Sequence, residues 1–532
     1  MRFPTINLVV MQPSGYVHSL GFLDQARYFR YQFRRLGAEV TISKNRLRED
    51  AVNFVFGAHL GFCAEWLQRH ACIFVNLEQL GAGGAALPSE YLELLRRCAA
   101  VDYDAANAKV YSQDPDQVPL VSFLHAPYLD DSAAPDLASR PIDLLFFGSV
   151  NERRRAFIER VEACGVQVTM FDQPLYGPER DAYVLHSKAV LSCHFYESSR
   201  FEQARAFHAL SLGTPVIAER TMKTAAPKAF DDAVFWLDDR SLEDFFRREF
   251  RSVAFADTAS GKLAAFRRQD AGDSYAELLA FAEGFARGFA RNRPIGPWRP
   301  RHMNLGSGKD YRAGWLNVDV LERAQPDLVL DLAKPLALPL TSPSLAGGQV
   351  VLEAGAFDRV HASNVLEHVP DLPALMGNLL ALLAEGGELE IEVPYERAPT
   401  AWQDPTHVRA MNENSWLYYT DWFWYLGWFE HRFEMASSQW LDAQLQPSQR
   451  GDAAFMRVTL KKIRVSPHER SIARAMRPDF GGIPEDSVFT PVAAADAALP
   501  APSEVEVDAA ELSRRIHAML GKPLMSAAVL QP

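Results

Sequence analysis

The 532-residue chain predicts an α/β protein of three doubly wound units. Three observations carry this. Short, unbroken apolar runs alternate with amphipathic stretches three times over; a proline-rich segment interrupts the chain just before residue 301; and the length far exceeds what one hydrophobic core supports. Apolar runs of strand length without polar alternation belong to parallel sheets covered on both faces.

The first unit, residues 1–135, opens on Ile6-Asn7-Leu8-Val9-Val10. A helical pattern from about Leu20 to Leu36 and the run Glu39-Val40-Thr41-Ile42 complete a βαβ unit, and Val52-Asn53-Phe54-Val55-Phe56 and Cys72-Ile73-Phe74-Val75 extend the sheet. The second unit, 136–290, starts with a strand from Ile142 to Gly148 and a helix from Asn151 to Ala163, followed by strands at 166–169, 189–193 and 215–218. Residues 291–300 form a linker, because Pro294, Pro297 and Pro300 continue neither a helix nor a central strand. The third unit spans 301–465. The tail, 466–532, contains a stretch at 491–502 too poor in large apolar residues to pack, so it is expected to be partly disordered, with a short helix near 509–520.

A formal net charge of -12 disfavours a nucleic-acid or anionic-membrane binder and leaves a small-molecule or glycan substrate. No apolar run reaches the ~20 residues of a membrane span, and Met1-Arg2-Phe3-Pro4 carries no cleavage-site pattern; a soluble, cytoplasmic protein is expected. Cys63, Cys72, Cys98, Cys164 and Cys193 are scattered and never form a Cys-x-x-Cys pair. Neither a disulfide framework nor a metal site is therefore expected, and the third unit has no thiol nucleophile.

In the third unit, Asn304-Leu305-Gly306-Ser307-Gly308 ends a strand on a glycine turn, where a missing side chain lets backbone approach a ligand. Alone, this turn is shared by dinucleotide-binding folds and plain loops. Trp315-Leu316-Asn317-Val318-Asp319 then gives a strand ending in an acid, and Leu328-Val329-Leu330-Asp331-Leu332 a third that also ends in a carboxylate. Phe357 to Asn364 forms the next strand, followed by Leu366-Glu367-His368-Val369 and, after Glu385-Gly386-Gly387, the strand Leu389 to Pro394.

This ordered set, over about 301–409, resembles the class I S-adenosylmethionine-dependent methyltransferases. The resemblance implies S-adenosyl-L-methionine as cofactor, with Gly306 and Gly308 at its amino acid part, Asp319 at its ribose and Asp331 near its adenine; Asn304, Ser307 and Asn364 complete the cofactor-binding candidates. Ser307 stands where many relatives carry cysteine. An oxygen acceptor also needs a proton acceptor. The catalytic candidates are His407 and Asp404, in Asp404-Pro405-Thr406-His407-Val408-Arg409, and His361; His368 reads more simply as a packed residue at a helix start. The aromatic stretch from Trp416 to Phe429 is either a sugar-stacking wall or a helix covering the core.

In the second unit, Gly148 and the arginines after Asn151 form either an anion site at a helix start or a solvated face. The stretch from Phe201 through Gly213-Thr214-Pro215-Val216-Ile217 resembles the nucleotide-sugar half of glycosyltransferases built from two Rossmann-like domains. That implies a nucleotide-sugar donor, with Gly148, Arg153, Glu202, Arg205 and His208 as binding candidates. His208 replaces the glutamate that those enzymes often place five residues before the glycine, and Glu202 is a candidate substitute. His18, after the first strand, is expected on the opposite wall of the cleft. The whole chain then reads as three Rossmann-like domains, a glycosyltransferase-like pair and a methyltransferase, acting on a glycan or glycosylated metabolite. The alternative makes the N-terminal half a non-catalytic carbohydrate-binding module.

Overall fold

Parallel pairing follows directly from the buried apolar runs. A computed structural model describes residues 4–478 except 14, 131–134, 172 and 293–295; the expected disordered stretch and helix of the tail lie outside the described residues. The first sheet contains β1 (Ile6–Val10), β2 (Val40–Lys44), β3 (Val52–Phe56), β4 (Ala71–Asn76) and β5 (Ala100–Asp102), in the parallel order β2-β1-β3-β4-β5. Every position of β1, β3 and β4 is buried, which is why these runs show no polar alternation.

The second sheet contains β6 (Ile142–Leu145), β7 (Val168–Thr169), β8 (Ser187–Ser192), β9 (Val216–Glu219) and β10 (Phe235–Leu237), in the parallel order β10-β9-β8-β6-β7. The third contains β11 (His302–Leu305), β12 (Leu316–Asp319) and β13 (Leu328–Val329). A separate antiparallel hairpin, β14 (Leu340–Pro343) and β15 (Gln349–Leu352), precedes its remaining strands, β16 (Phe357–Ser363), β17 (Leu383–Pro394), β18 (His431–Leu441) and β19 (Phe455–Arg464). The order is β13-β12-β11-β16-β17-β19-β18, parallel through β17, with β19 antiparallel to both its neighbours.

Among its parallel strands each sheet reverses its order once, at its first strand: β1 lies between β2 and β3, β6 between β7 and β8, and β11 between β12 and β16. Connections leave such a strand's neighbours on opposite faces of the sheet, so a crevice opens beyond its carboxyl end.

The first two sheets share one core. The helix Gly272–Asn292 follows the second sheet but packs on the helix Phe22–Arg35 and on β4 of the first. Its Tyr275 ring lies 5.6 Å from Tyr28, 5.1 Å from Phe29 and 5.8 Å from Phe33. The third sheet is stitched to the first: Glu49 N donates to Ala346 O (2.9 Å), and Arg46 to Pro326 O (3.4 Å). Trp66 lies so close against Gly314 that a Cβ there would overlap the indole.

At the end of β5, Asp102 is fully buried. Its carboxylate accepts from Asn76 (2.8 Å), Asn107 (2.9 Å), Tyr111 (3.2 Å) and the Asp104 amide (3.0 Å), tying β4 to β5 and to the helix Ala105–Tyr111. Burial nevertheless pushes this carboxyl up to about 7. The native state therefore holds a proton that the unfolded chain, titrating near its ordinary ~3.9, releases. Stability from this source is complete below the unfolded value and is lost as pH rises through about 7. Asp102→Asn should remove this component, so the stability of the wild type relative to the variant should fall steadily from about pH 5 to about pH 8 in urea unfolding. A pH-independent difference would contradict the assignment.

Candidate functional site

The end of β11 turns through Gly306 and Gly308, both with left-handed backbone (φ +62° and +45°). A Cβ on Gly306 would overlap the isopropyl group of Val365, just past β16, so only glycine fits between the two chains. Asp319, at the end of β12, holds the turn: its Oδ2 accepts from the Gly308 amide and its Oδ1 from the Leu321 amide, each at 2.8 Å. Each oxygen keeps a second lone-pair direction. Ser307 is 2 % exposed and its hydroxyl has no hydrogen-bond partner among the described residues. Asp331 stands two residues past β13, half-buried, accepting from the Ala333 amide at 3.0 Å. Leu330 N donates to Asp319 O (3.1 Å), which keeps this loop beside its neighbour. Asn364, in a left-handed conformation (φ +52°), is exposed at the end of β16.

The edge thus joins Gly306, Ser307, Gly308, Asp319 and Asn364, with Asp331 next in line. Asn304 does not join them as expected: its amide donates to Asp310 O (2.7 Å) and Asn317 Oδ1 (3.0 Å), so it braces the loop after the glycine turn. Bare backbone, a carboxylate with capacity left and an orphaned buried hydroxyl suit an adenosyl cofactor bearing ribose hydroxyls and a charged amino acid end.

The three catalytic candidates separate. His361 is buried within β16, its Nε2 2.8 Å from Arg312 and its Nδ1 3.4 Å from Glu390 on β17, so it links strands inside the sheet. This corrects its catalytic assignment; its hydrogen bond holds the Glu390 carboxyl below the ordinary range. His407 and Asp404 do come together, and with them His368. The His368 and His407 rings lie 4.7 Å apart, and Asp404 Oδ1 accepts from Thr406 N (2.8 Å) and Thr406 Oγ1 (2.6 Å). Sequence reasoning missed Glu367. It is 1 % exposed, neither carboxylate oxygen has a partner among the described residues, and burial pushes it up to about 7. The only sequence signal was its place between the strand end and His368.

The aromatic stretch forms two short 3-10 turns, Glu413–Trp416 and Phe423–Leu426, rather than one helix. Trp416, Tyr419 and Phe423 point into the core, while Tyr418 and Tyr425 are exposed.

A larger cavity, about 770 Å³, lies where the crevices beyond β1 and β6 meet. Gly148, Glu202, Arg205 and His208 line it, with His18 opposite. Gly148 (φ +135°) is pressed by two guanidinium groups: a Cβ would lie 2.7 Å from Arg205 and 3.3 Å from Arg154. Although burial works to raise it, Glu202 is held below the ordinary carboxyl range by Arg205 and Arg154. Arg153 departs from expectation, because Glu219 and the His194 carbonyl (2.7 Å) engage it and it does not line the cavity; the buried Arg154 stands there instead. His208 is buried, its Nε2 2.8 Å from both Arg180 and Asp181, and His18 Nδ1 reaches Tyr176 Oη at 3.1 Å.

Residues 157–437, more than half of the chain, match the profile of a family described as a methyltransferase domain. The chain belongs to this methyltransferase family. Its cofactor is S-adenosylmethionine. An S-adenosylmethionine-dependent methyltransferase from Mesorhizobium loti is 15 % identical over 32 % of this chain and 94 % of its own, with a TM-score of 0.21. One from Archaeoglobus fulgidus is 14 % identical over 33 % and 91 %, with a TM-score of 0.22. AviGT4, a glycosyltransferase involved in avilamycin A biosynthesis, is 15 % identical over 54 % and 98 %, with a TM-score of 0.34. No curated protein matches the chain.

When bound, the cofactor's sulfonium supplies an already activated methyl carbon, so the methyltransferase must chiefly position the reacting groups, a contribution of up to ~7–11 kcal/mol. Gly306→Ala should lower S-adenosylmethionine affinity at least ~10-fold in calorimetry, since left-handed strain and the clash with Val365 act together. Asp319→Ala should cost at least ~1.5 kcal/mol of binding. Wild-type affinity in either variant would remove that residue from the pocket.

Proposed function

We propose that the chain is a bifunctional transferase: methyl transfer at the ends of β11, β12 and β16, and glycosyl transfer in the cleft between the first two sheets, on a glycan or glycosylated metabolite. The methyl site would use Gly306 and Gly308 for close backbone approach, Asp319 for the ribose hydroxyls and Asp331 beside the adenine. The acceptor would enter past Val365, on the side of Glu367, His368 and His407.

One observation carries the glycosyl reading. Two arginines converge on a glycine whose bare backbone their guanidiniums approach closely, at a switch point facing a second switch point across about 770 Å³. Convergent guanidiniums beside open backbone suit the diphosphate of a sugar nucleotide. Glu202 fixes both cations, so a diphosphate would meet oriented charge.

A specific observation favours the alternative of a non-catalytic carbohydrate-binding module. His208 occupies the position of the usual ribose glutamate and is held between Arg180 and Asp181, while both oxygens of Glu202 already meet Arg154 and Arg205.

Release of nucleoside diphosphate from a panel of sugar nucleotides decides between the two. Donor hydrolysis that Arg205→Ala lowers at least ~10-fold supports transfer. Saturable sugar binding without any diphosphate release supports the binding module, and neither result would overturn both readings of the N-terminal half. The methyl reading is tested separately, by S-adenosylmethionine binding.

A further inference from the structure

Glu367, His368 and His407 each offer one metal-ligating atom, and these atoms all lie within 4.8 Å of one another. Glu367 and His368 are adjacent in the 3-10 turn Leu366–His368 after β16. His407 is brought to them by the loop after β17, whose Val408 amide donates to the Glu367 carbonyl at 2.9 Å.

The hydrogen bonds around the cluster fix where its protons are. His407 Nδ1 lies 2.9 Å from the Ala401 carbonyl, which can only accept, so Nδ1 carries the hydrogen and, in the neutral ring that a metal ion binds, Nε2 is bare. His368 Nδ1 lies 2.9 Å from Thr406 Oγ1, which is itself 2.6 Å from Asp404 Oδ1. An ionised carboxylate only accepts, so the Thr406 hydroxyl donates to Asp404 and receives the His368 Nδ1 hydrogen. His368 Nε2 is then bare as well. Between these two lone pairs stands a carboxylate that is almost wholly buried and has no partner among the described residues. Both oxygens of a carboxylate buried without a donor among the described residues are costly to hold ionised, and the two imidazoles beside them add acceptors rather than donors. A cation satisfies all three at once. Each imidazole also has its outer nitrogen anchored on an oxygen, the support that metal-bound histidines require.

We propose that Glu367 and the Nε2 atoms of His368 and His407 bind a divalent transition-metal ion, of which zinc suits two imidazoles and a carboxylate. Zinc's bond lengths of about 2.0–2.2 Å require the ligand atoms to close by roughly 1 Å, and His407 stands on a largely exposed loop that is free to make that movement. Three protein ligands leave a fourth position for water or an oxygen of an acceptor. The site begins two residues beyond Val365, the residue that packs on Gly306. It revises the expectation of no metal, which rested on cysteine spacing alone.

The test uses the full chain after removal of metal with a chelator. Titration with cobalt(II) should produce the visible absorption of a low-coordinate ion, saturating at about one equivalent and discharged by zinc. Zinc should also raise the thermal unfolding temperature. His368→Gln and His407→Gln should each weaken binding at least ~10-fold and abolish the thermal shift while unfolding cooperatively without metal. Glu367→Gln should do the same; if it fails to fold, the two histidine variants decide. No cobalt absorption, or binding and stabilisation unchanged in both histidine variants, would overturn the site. These readouts do not involve methyl transfer, so they stand apart from the test of the cofactor pocket.

Discussion

Parallel strands oblige the chain to return outside the sheet, and where two neighbours of one strand return on opposite faces, the space beyond that strand is left uncovered. All three sheets contain one such position, always at their first strand. The residues just past that strand then decide which ligand the opening can hold. After β11 the chain offers almost nothing but backbone, between Val365 on one side and Asp319 on the other. After β6 it offers a glycine pressed by two guanidiniums. After β1 it offers a histidine in contact with Tyr176, which caps a helix beside the second sheet. The same backbone constraint thus produces a slot walled by a carboxylate in one sheet and by guanidiniums in another, by changing a few side chains.

Charge inside the molecule is handled mostly by pairing. Arg154 is 2 % exposed and meets Glu202, while Arg180 is 4 % exposed and meets Asp24 and Asp181. Asp102 and Asp327 use amide and hydroxyl donors instead, and burial raises both carboxyls above their ordinary value. Against this background Glu367 stands out among the described residues, a buried acid without a hydrogen-bond donor, close to two imidazoles.

Much of the fold was legible because it rests on short apolar runs of the kind that doubly covered parallel strands show; β1, β3 and β4 lie close to where those runs were read. The glycine turn and the acid at Asp319 were legible for the same local reason, since a strand end and the residues after it are contiguous in sequence. Contacts between distant segments were not. Arg153 and Arg154 are adjacent, and nothing local says that the first turns to Glu219 and the second into the cleft. His361 reads as a strand-end base until Arg312 and Glu390 are seen to enclose it. Glu367 gains its significance only from His407, forty residues later, and the return of the helix Gly272–Asn292 to the first sheet is equally non-local.

The stitching of the third sheet to the first bears on how this molecule can be divided. Proline density marks a change of sequence character near residue 297, yet Trp66, Arg46 and Glu49 cover the hairpin and loops that brace the glycine turn. A recombinant fragment starting at that linker would bare an indole-sized hollow at Gly314 and leave a carbonyl at Ala346 to water. The third sheet is therefore a tenant of the first sheet's surface, and transplanting it requires carrying residues 46–66 along or redesigning the face they shield.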